Sequence, residues 1–333
     1  MENLICLGIE ATAHTFGASI VLGSGKILSD VKETYTNEKG GIIPMEAANH
    51  HAKIGLKIIE QAIKDANIKE ENIDIISFSA SPGLAPSLIQ GMKFAKDLAL
   101  KLKVPLIGVN HLTAHLEIGK LLTKVKNPVF ILATGANTQI IALEGNKYRI
   151  FGEALSIGIG NALDKFGRSI NLGFPAGPKI EQLAKKGSYV ELPYVVKGMD
   201  IEFSGIITKA SDLYKQKKAS KEDLCFSLQE TLFSMLTEVS ERALAHTEKS
   251  ELLLIGGVAA NKRLSEMLNI MCQEREAKFS VVPIQHSMDH GAMIAWTGIL
   301  QYKTNTDYYK NLKLEDIDIN PRQRIDEKEI NWV

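Results

Sequence analysis

Two stretches of the chain repeat one pattern of apolar and polar positions. The segment LICLGIEATAHTFGASIVL, which begins at Leu4, is an apolar strand, a turn of small and hydroxyl-bearing residues, and a second apolar strand. The segment VFILATGANTQIIALEG, which begins at Val129 about 125 residues later, has the same layout, and each turn carries a polar pair, His14-Thr15 and Asn137-Thr138. The repetition predicts a duplicated domain in which each half begins with a strand, a tight turn and a strand.

The remainder of each half alternates between helical periodicity and short apolar runs. In the first half this alternation predicts helices over 45–66, 87–102 and 111–122 and strands over 73–79 and 105–109. In the second half it predicts helices over 157–170, 178–185, 221–246, 261–273 and 290–301 and strands over 148–151, 252–255 and 279–282. Strands that alternate with helices are typical of an α/β fold. We therefore expect two lobes, 1–127 and 128–304, and a polar tail over 305–333 that packs on the core.

The composition is that of a globular protein of about two domains. The chain has 333 residues, 39 Lys+Arg, 39 Asp+Glu and a formal net charge of +0, so bound nucleic acid would need a local basic patch or partner proteins. Neither a run of ~18 apolar residues nor a signal-peptide pattern occurs, which predicts a cytoplasmic protein without membrane spans. The cysteines, Cys6, Cys225 and Cys272, lie far apart in apolar runs, and we expect reduced core thiols.

Three turns of small residues follow apolar strands, and such turns let backbone N–H groups approach phosphate oxygens. The third turn is in LLLIGGVAANKRL, where Gly256-Gly257 ends a strand and Asn261 begins a helix. A tight turn with a helix-capping asparagine explains that segment equally well. Neither GxxxxGK[ST] nor GxGxxG occurs, so the three turns together favour a nucleotide site of another kind.

A pair of histidines is the sharpest chemical signal. In VNHLTAHLE, His111 and His115 are four residues apart, which puts both imidazoles on one face of a helix, as metal ligands or as ordinary buried or solvated histidines. The segment SMDHGAM places Asp289 before an apolar helix, as a third ligand or as a helix cap. Two histidines and a carboxylate suit iron, zinc or manganese. Leu112 stands where an HExxH metalloprotease has its glutamate, which disfavours a protease.

Nine segments span essentially the whole chain in order: GIEATAHTFG, GGIIPMEAANHH, GVNHLTAHLEIG, TGANTQ, FGEALSIGIGNALDKFGR, FPAGPKIEQLA, LPYVVKGMDIEFSGIIT, GGVAANKRL and DHGAMIAW. Together they resemble the universal tRNA N6-adenosine threonylcarbamoyltransferase family, formerly called O-sialoglycoprotein endopeptidase, and most closely its archaeal and eukaryotic type, the catalytic subunit of the KEOPS complex. The resemblance implies a duplicated actin/hexokinase-like ATPase fold with two lobes around a nucleotide cleft. It also implies transfer of the threonylcarbamoyl group from threonylcarbamoyl-adenylate to N6 of adenosine 37, beside the anticodon, in tRNAs that read ANN codons.

Carried over position by position, the resemblance implies a catalytic centre and a nucleotide pocket. His111, His115 and Asp289 would bind one divalent metal, with iron expected and zinc or manganese as alternatives. ATP, ADP or threonylcarbamoyl-adenylate would lie against Leu132, Ala133, Thr134, Gly135 and Ala136 at the phosphates, Asp164 and Glu181 at the ribose, and Gly177 and Asn261 elsewhere in the pocket. From the residues alone, the two carboxylates are better explained as surface ends of helices.

Five positions depart from the pattern of the family. Leu132 stands where archaeal members have tyrosine, a further metal ligand, so at most three protein ligands are expected. His290 is either a replacement ligand or an exposed residue at a helix start. Ala136 and Ala176 replace glycines, and Ala136 would narrow the phosphate turn if its φ had to be positive. Ser156 replaces an aspartate.

The resemblance also implies partners. We expect tRNA as substrate and a KEOPS-like assembly with a small kinase-like ATPase subunit and small accessory subunits. The lysine sets within 93–103 and 215–221 are each either a solvated surface or a phosphate contact. Two other functions stay open: a degenerate nucleotide-binding scaffold subunit without transferase activity, which the five departures motivate, and a small-molecule kinase of the same fold.

Overall fold

The computed structural model describes residues 1–37 and 41–332, and it divides into two compact units. The first unit comprises Met1–Leu121 and Asp289–Val333, and the second comprises Leu122–Met288. Each unit contains a five-stranded sheet with helices packed on it. No helix in the described ranges is both long enough and apolar enough to cross a membrane.

The first unit is built on a mixed sheet. Its strands are β1 (Ile5–Glu10), β2 (Thr15–Leu22), β3 (Ile27–Thr34), β4 (Ile75–Ser81) and β5 (Leu106–Asn110). Its helices are α1 (Pro44–Asp65), α2 (Ala85–Leu102), α3 (His111–Thr123), α9 (Gly291–Thr304) and α10 (Thr306–Asn311), of which α3 ends just past the unit boundary. The strand order is β3-β2-β1-β4-β5, with β1, β2 and β3 antiparallel and β1, β4 and β5 parallel.

The second unit repeats this topology. Its strands are β6 (Val129–Ala133), β7 (Thr138–Glu144), β8 (Lys147–Glu153), β11 (Glu251–Ile255) and β12 (Lys278–Val281), beside a small pair β9 (Val196–Lys197) and β10 (Asp200–Ile201). Its helices are α4 (Ile159–Ser169), α5 (Gly177–Ala184), α6 (Ser204–Lys215), α7 (Lys221–Thr247) and α8 (Lys262–Glu274). The sheet order β8-β7-β6-β11-β12 has the same strand directions as the first. The predicted α/β duplication is therefore confirmed.

The parallel strands of each sheet end at one edge, where chemistry in α/β folds is usually located. In the first unit β1 ends at Glu10, β4 at Ser81 and β5 at Asn110, all polar and all buried. In the second unit β6 ends at Ala133, and β11 is followed by Gly256. One edge thus carries polar side chains and the other carries small residues.

Helix α9 belongs to the first unit, whereas the sequence analysis assigned 128–304 to the second lobe. Its first residue, Gly291, lies against β1 so closely that a Cβ at Gly8 would be 2.3 Å from the Gly291 carbonyl oxygen. Two glycines allow this approach of backbone to backbone, and the apolar pattern alone does not reveal which sheet such a helix covers. The tail also lies on this unit, with Ile317 in its hydrophobic core and Asn320 N–H donating to the Ala80 carbonyl.

Candidate functional site

The two predicted histidine ligands open helix α3. Asn110 Oδ1 accepts a hydrogen bond from Thr113 N at 3.1 Å, which satisfies one of the free N–H groups at the helix start. With 3.6 residues per turn, His111 and His115 lie on one face, and their ring centroids are 4.7 Å apart. Both side chains are buried. Strand β5 and the first turn of α3 therefore hold both imidazoles in fixed positions.

Asp289, immediately before α9, completes this group within the first unit. Its Oδ1 lies 3.3 Å from His115 Nε2 and 3.5 Å from His111 Nε2. One ligand atom of each of the three residues lies within 4.8 Å of the others. Two imidazole nitrogens and a carboxylate oxygen form a donor set typical of iron(II), zinc and manganese sites with open positions. The residues present therefore fit one divalent cation.

Glu10, at the end of β1, is a fourth side chain of this group that the sequence did not predict. It is 0% exposed, and its Oε2 lies 2.9 Å from His111 Nδ1. Its Oε1 accepts hydrogen bonds from the backbone N–H and the hydroxyl of Thr12. The signal that could have found it is a glutamate that ends an apolar strand directly before small and hydroxyl-bearing residues, since such a carboxylate is rarely buried without a partner.

Burial and the charges of this group shift the pKa values of its two histidines in opposite directions. Burial by itself would lower the pKa of His111, but the charges of Glu10 and Asp289 outweigh it and raise this pKa to about 9. Burial lowers the pKa of His115, and the positive charge of His111 adds to this effect. Burial would raise the pKa of Asp289, but His111 and His115 hold it well below its usual range. Without a metal, His111 is thus the protonated member of the pair.

His290 does not join this group. Its side chain is 0% exposed, so the interpretation as an exposed residue at a helix start is wrong. Its Nδ1 lies 3.6 Å from Asp30 Oδ2 on β3, and Asp30 Oδ1 also accepts a hydrogen bond from Ser19 Oγ at 2.6 Å. The ligand atoms that gather around His111 do not include those of His290. His290 is therefore buried beside β3, with its imidazole toward Asp30.

The turn between β6 and β7, predicted to line phosphates, lies against the start of α4. Gly160 N–H donates to the Thr134 carbonyl, and Asn161 N–H donates to the Gly135 carbonyl at 3.0 Å. Within the turn, Asn137 N–H donates to Thr134 Oγ1 at 3.0 Å. Ala136 is not among the described residues with positive φ, so its methyl group imposes no backbone strain on the turn.

Glycines bring the end of β11 to this turn. Gly256 has a φ of +105°, and a Cβ there would lie 2.3 Å from the Ala133 carbonyl oxygen. At Gly257 and Gly177, by contrast, a Cβ would meet no atom within 4 Å. The backbone at these two positions is therefore open to a flat ligand, as a nucleotide site requires.

The predicted ribose contacts, Asp164 and Glu181, and the predicted pocket residue Asn261 all form hydrogen bonds within the protein. Asp164 Oδ1 accepts a hydrogen bond from Ala176 N at 2.7 Å, and Glu181 Oε1 accepts one from Lys262 N at 3.0 Å. Each carboxylate has a second oxygen for a ligand. Asn261 Oδ1 caps α8, and its Nδ2 donates to Gln229 Oε1 at 3.1 Å. The helix-cap interpretation of Asn261 is therefore confirmed, and its amide is largely used within the second unit.

The remaining departures fit their surroundings. Leu132 is fully buried in β6 between Gln139 and Ile255 on the neighbouring strands, where an apolar side chain supplies no ligand atom. Ala176 is also buried, and its methyl group fills the space left by a glycine at 167. Ser156 donates to Glu202 and accepts from Ser204 Oγ at 2.8 Å.

The sequence of this chain is similar to those of known proteins along nearly its whole length. A model of the protein family described as tRNA N6-adenosine threonylcarbamoyltransferase matches residues 26–296. A Thermococcus sibiricus protein of that name is 50% identical over 330 residues, which cover 99% of this chain and 100% of the relative. A Methanosarcina barkeri protein named probable bifunctional tRNA threonylcarbamoyladenosine biosynthesis protein is 50% identical over 337 residues, which cover 100% of this chain and 61% of the relative.

Solved structures show the same fold at low sequence identity. Full-length HypF in its phosphate- and nucleotide-bound form is 13% identical with a TM-score of 0.62, over 91% of this chain and 56% of that one. Component A of the Acidaminococcus fermentans (R)-2-hydroxyglutaryl-CoA dehydratase is 11% identical with a TM-score of 0.55, over 90% of this chain and 100% of that one. The predicted actin/hexokinase-like ATPase fold is confirmed by these likenesses.

Proposed function

The chain belongs to the tRNA N6-adenosine threonylcarbamoyltransferase family, and from this premise we propose how its residues carry out the modification of tRNA. The enzyme transfers a threonylcarbamoyl group to N6 of the adenosine beside the anticodon. We assign threonylcarbamoyl-adenylate as the donor. The N6 amine attacks the carbamoyl carbonyl carbon, a C–N bond forms, the C–O bond to AMP breaks, and N6 loses a proton. The observation that carries this assignment is the convergence of His111, His115 and Asp289 in a chain of this family.

We assign His111 Nε2, His115 Nε2 and an oxygen of Asp289 as the ligands of one divalent metal, with iron as the expected ion. Such a cation supplies charge stabilisation to a developing oxyanion or a phosphate. The three side chains come from two elements of one unit, the start of α3 and the residue before α9. Lys32 Nζ donates to the Asp289 carbonyl at 3.2 Å and so fixes the backbone that carries the carboxylate.

We assign the nucleotide part of the donor to the second unit. Leu132 and Ala133 end β6 and Thr134 N–H donates to the Asn137 carbonyl at 2.8 Å, so we assign the phosphate contacts of Leu132–Ala136 to the backbone N–H groups of Gly135 and Ala136. The open backbone at Gly177 and Gly257 accommodates the sugar or base. Asp164 and Glu181 each have one carboxylate oxygen left for a ribose hydroxyl, since their other oxygens hold Ala176 N and Lys262 N. These two carboxylates thereby couple ligand binding to the positions of α5 and α8.

We propose that the turn between α6 and α7 contacts tRNA phosphates. Lys215, Lys217 and Lys218 are exposed there, and Lys221 Nζ lies 5.6 Å from the ring centroid of Tyr214. In the described part of the chain none of these four lysines has a carboxylate partner. Of the lysines within 93–103, Lys101 differs, because it pairs with Glu70 at 2.6 Å. A phosphate backbone binds where positive charge is not already neutralised.

We also propose that the enzyme works in the cytoplasm in a KEOPS-like assembly with a small kinase-like subunit and small accessory subunits. Its formal net charge of +0 supports this, because one short lysine turn is a small basic area for a polyanion. A groove of about 580 Å³ between α1 and α2 supports it as well. Apolar side chains of the groove include Ile63, Phe94 and Leu56, and Leu56 is 54% exposed, as is typical of a surface that another protein covers. Charged side chains line the rest of the groove: Glu60, Lys64, Glu70, Asp97 and Lys101.

The test is transfer of label. The purified chain is incubated with its partner subunits, the adenylate-forming enzyme, ATP, bicarbonate, labelled threonine and an ANN-decoding tRNA, and label on the tRNA is counted. We expect label with the unchanged chain and none with His111→Ala or Asp289→Ala. If the intermediate forms and a relative labels the tRNA in parallel while this chain does not, the transferase assignment is wrong and a nucleotide-binding scaffold takes its place.

A further inference from the structure

Glu10 is a buried carboxylate that the reaction proposed above does not use. It ends β1, and no part of it is exposed. A carboxylate is costly to remove from water unless hydrogen bonds and an opposite charge replace the water. The partners of its two oxygens therefore indicate the function of this carboxylate.

The two oxygens of Glu10 have separate partners. Oε1 accepts both hydrogen bonds from Thr12, one from the backbone N–H at 2.7 Å and one from the hydroxyl. Oε2 lies 2.9 Å from His111 Nδ1. Stabilising the turn after β1 would need Oε1 alone, so the second oxygen requires another explanation. It lies at hydrogen-bond distance from a histidine that is 101 residues away in the chain.

We propose that Glu10 is the positioning residue of the metal centre, an inference that rests on the metal ligands assigned above. When His111 Nδ1–H donates to Glu10, the lone pair of Nε2 points to the side of the ring where Asp289 Oδ1 lies 3.5 Å away. Histidine ligands commonly donate their other N–H to a carboxylate, which fixes the tautomer and the ring orientation. Thr12 in turn fixes Glu10, so a chain of contacts leads from the first turn of the protein to the ligand.

The second histidine provides the contrast. In the ranges that the structure describes, His115 Nδ1 is buried without a hydrogen-bond partner. The orientation of His115 therefore depends on its helix and on Asp289, whereas that of His111 is set by Glu10. Loss of the Glu10 carboxylate consequently releases one ligand of the pair and leaves the other in place.

Cobalt(II) binding to the metal-free chain tests this proposal, because both its affinity and its visible spectrum report the ligand geometry. We expect Glu10→Gln to weaken cobalt(II) by about 10- to 100-fold in competition with a chelator and to change the spectrum. Thr12→Val keeps the carboxylate and removes the hydroxyl, which holds Glu10 Oε1 and also lies 3.4 Å from His111 Nδ1, and we expect a smaller loss of cobalt(II) affinity in the same direction. Glu117→Gln is the matched control, since Glu117 is a buried glutamate of α3 that pairs with Lys120 at 3.2 Å.

Each outcome of these measurements decides for or against the proposal. Glu10→Gln with unchanged affinity and spectrum overturns the proposal, and so does an equal loss in Glu117→Gln, which would indicate a general effect on the first unit. If Glu10→Gln does not fold, the cobalt(II) affinity and spectrum of Thr12→Val are measured instead, and unchanged values overturn the proposal. If His111→Ala binds cobalt(II) as the unchanged chain does, the metal ligands themselves are wrongly assigned. A different result, in which His111→Ala loses cobalt(II) affinity and Glu10→Gln does not, overturns only the role of Glu10.

Discussion

Glu10 Oε2 lies 2.9 Å from His111 Nδ1, and this contact joins the end of β1 to the start of α3. Because β1 and β5 run parallel within one sheet, their carboxyl ends lie at the same edge, and α3 begins directly after β5. The opposite nitrogen of the same ring faces Asp289. His111 is thus held between two carboxylates, and the properties of the site depend on both.

Removal of a ligand should remove the metal. We expect His111→Ala and Asp289→Ala each to reduce bound divalent metal per chain to near zero, because two remaining protein ligands rarely retain such an ion. His50→Ala is the control, since His50 Nε2 lies 3.1 Å from Glu33 and is not one of the three converging ligands. The measurement is metal content by elemental analysis after dialysis. Equal metal in His111→Ala and His50→Ala would contradict the assigned centre.

Metal binding should release a proton near neutral pH. With a pKa of about 9, His111 is protonated at pH 7.5, and an imidazole must lose that proton before Nε2 can bind a metal. Apparent affinity should therefore rise about tenfold per pH unit as the pH approaches 9. Calorimetric titrations in two buffers with different ionisation enthalpies measure the proton count. A heat that does not depend on the buffer would contradict a protonated His111.

The same pKa has a consequence for the stability of the metal-free chain. The folded-state pKa of His111 is raised above 6.5, so its contribution is fully present below pH 6.5 and is lost as the pH rises through about 9. We expect the free energy of unfolding to fall across that range, and to fall less in His111→Gln. Urea denaturation of both proteins at a series of pH values checks this. Parallel pH dependences would assign the loss to other groups.

Gly256 and Gly257 should respond to alanine in opposite ways. Gly256→Ala places a side chain at φ +105° and against the Ala133 carbonyl, so we expect a loss of about 1–3 kcal/mol or more in the free energy of unfolding. Gly257→Ala meets open space, so its stability should change by no more than about 0.5 kcal/mol, while nucleotide affinity falls because the methyl group occupies the ligand space. Urea denaturation and nucleotide titration separate the two. Unchanged nucleotide affinity in Gly257→Ala would move the nucleotide away from this backbone.

The sequence was sufficient to predict helices and strands whose apolar residues recur at a regular spacing. The helix predicted over 221–246 is observed as Lys221–Thr247, and the two histidines lie on one face of α3, as their spacing indicated. Strand β3 and helix α6 were not predicted. Strand β3 is an edge strand whose residues are mostly half-buried, so its apolar period is weak.

Tertiary contacts explain why other parts of the site were not predicted. Glu10 became part of the site only because β1 and β5 lie in one sheet, each paired with β4, an arrangement that no local period encodes. His290 was expected either at the metal or in solvent, and it is instead buried toward Asp30 because α9 packs on the first sheet. In each case the deciding contact joins segments far apart in the chain.

The lysines between α6 and α7 should contribute to tRNA binding more than those of α2. We expect Lys215→Ala, Lys217→Ala and Lys218→Ala together to lower the slope of log affinity against log salt by about 2, because each phosphate contact adds about 0.7–0.9 to that slope. The matched control removes three lysines from around α2, Lys93, Lys96 and Lys103, where Lys101 is already paired with Glu70. Filter binding of an ANN-decoding tRNA at several salt concentrations measures both. A larger change in slope for the α2 variant would place the phosphate contacts on the first unit, and equal changes would mean that neither set forms a distinct contact.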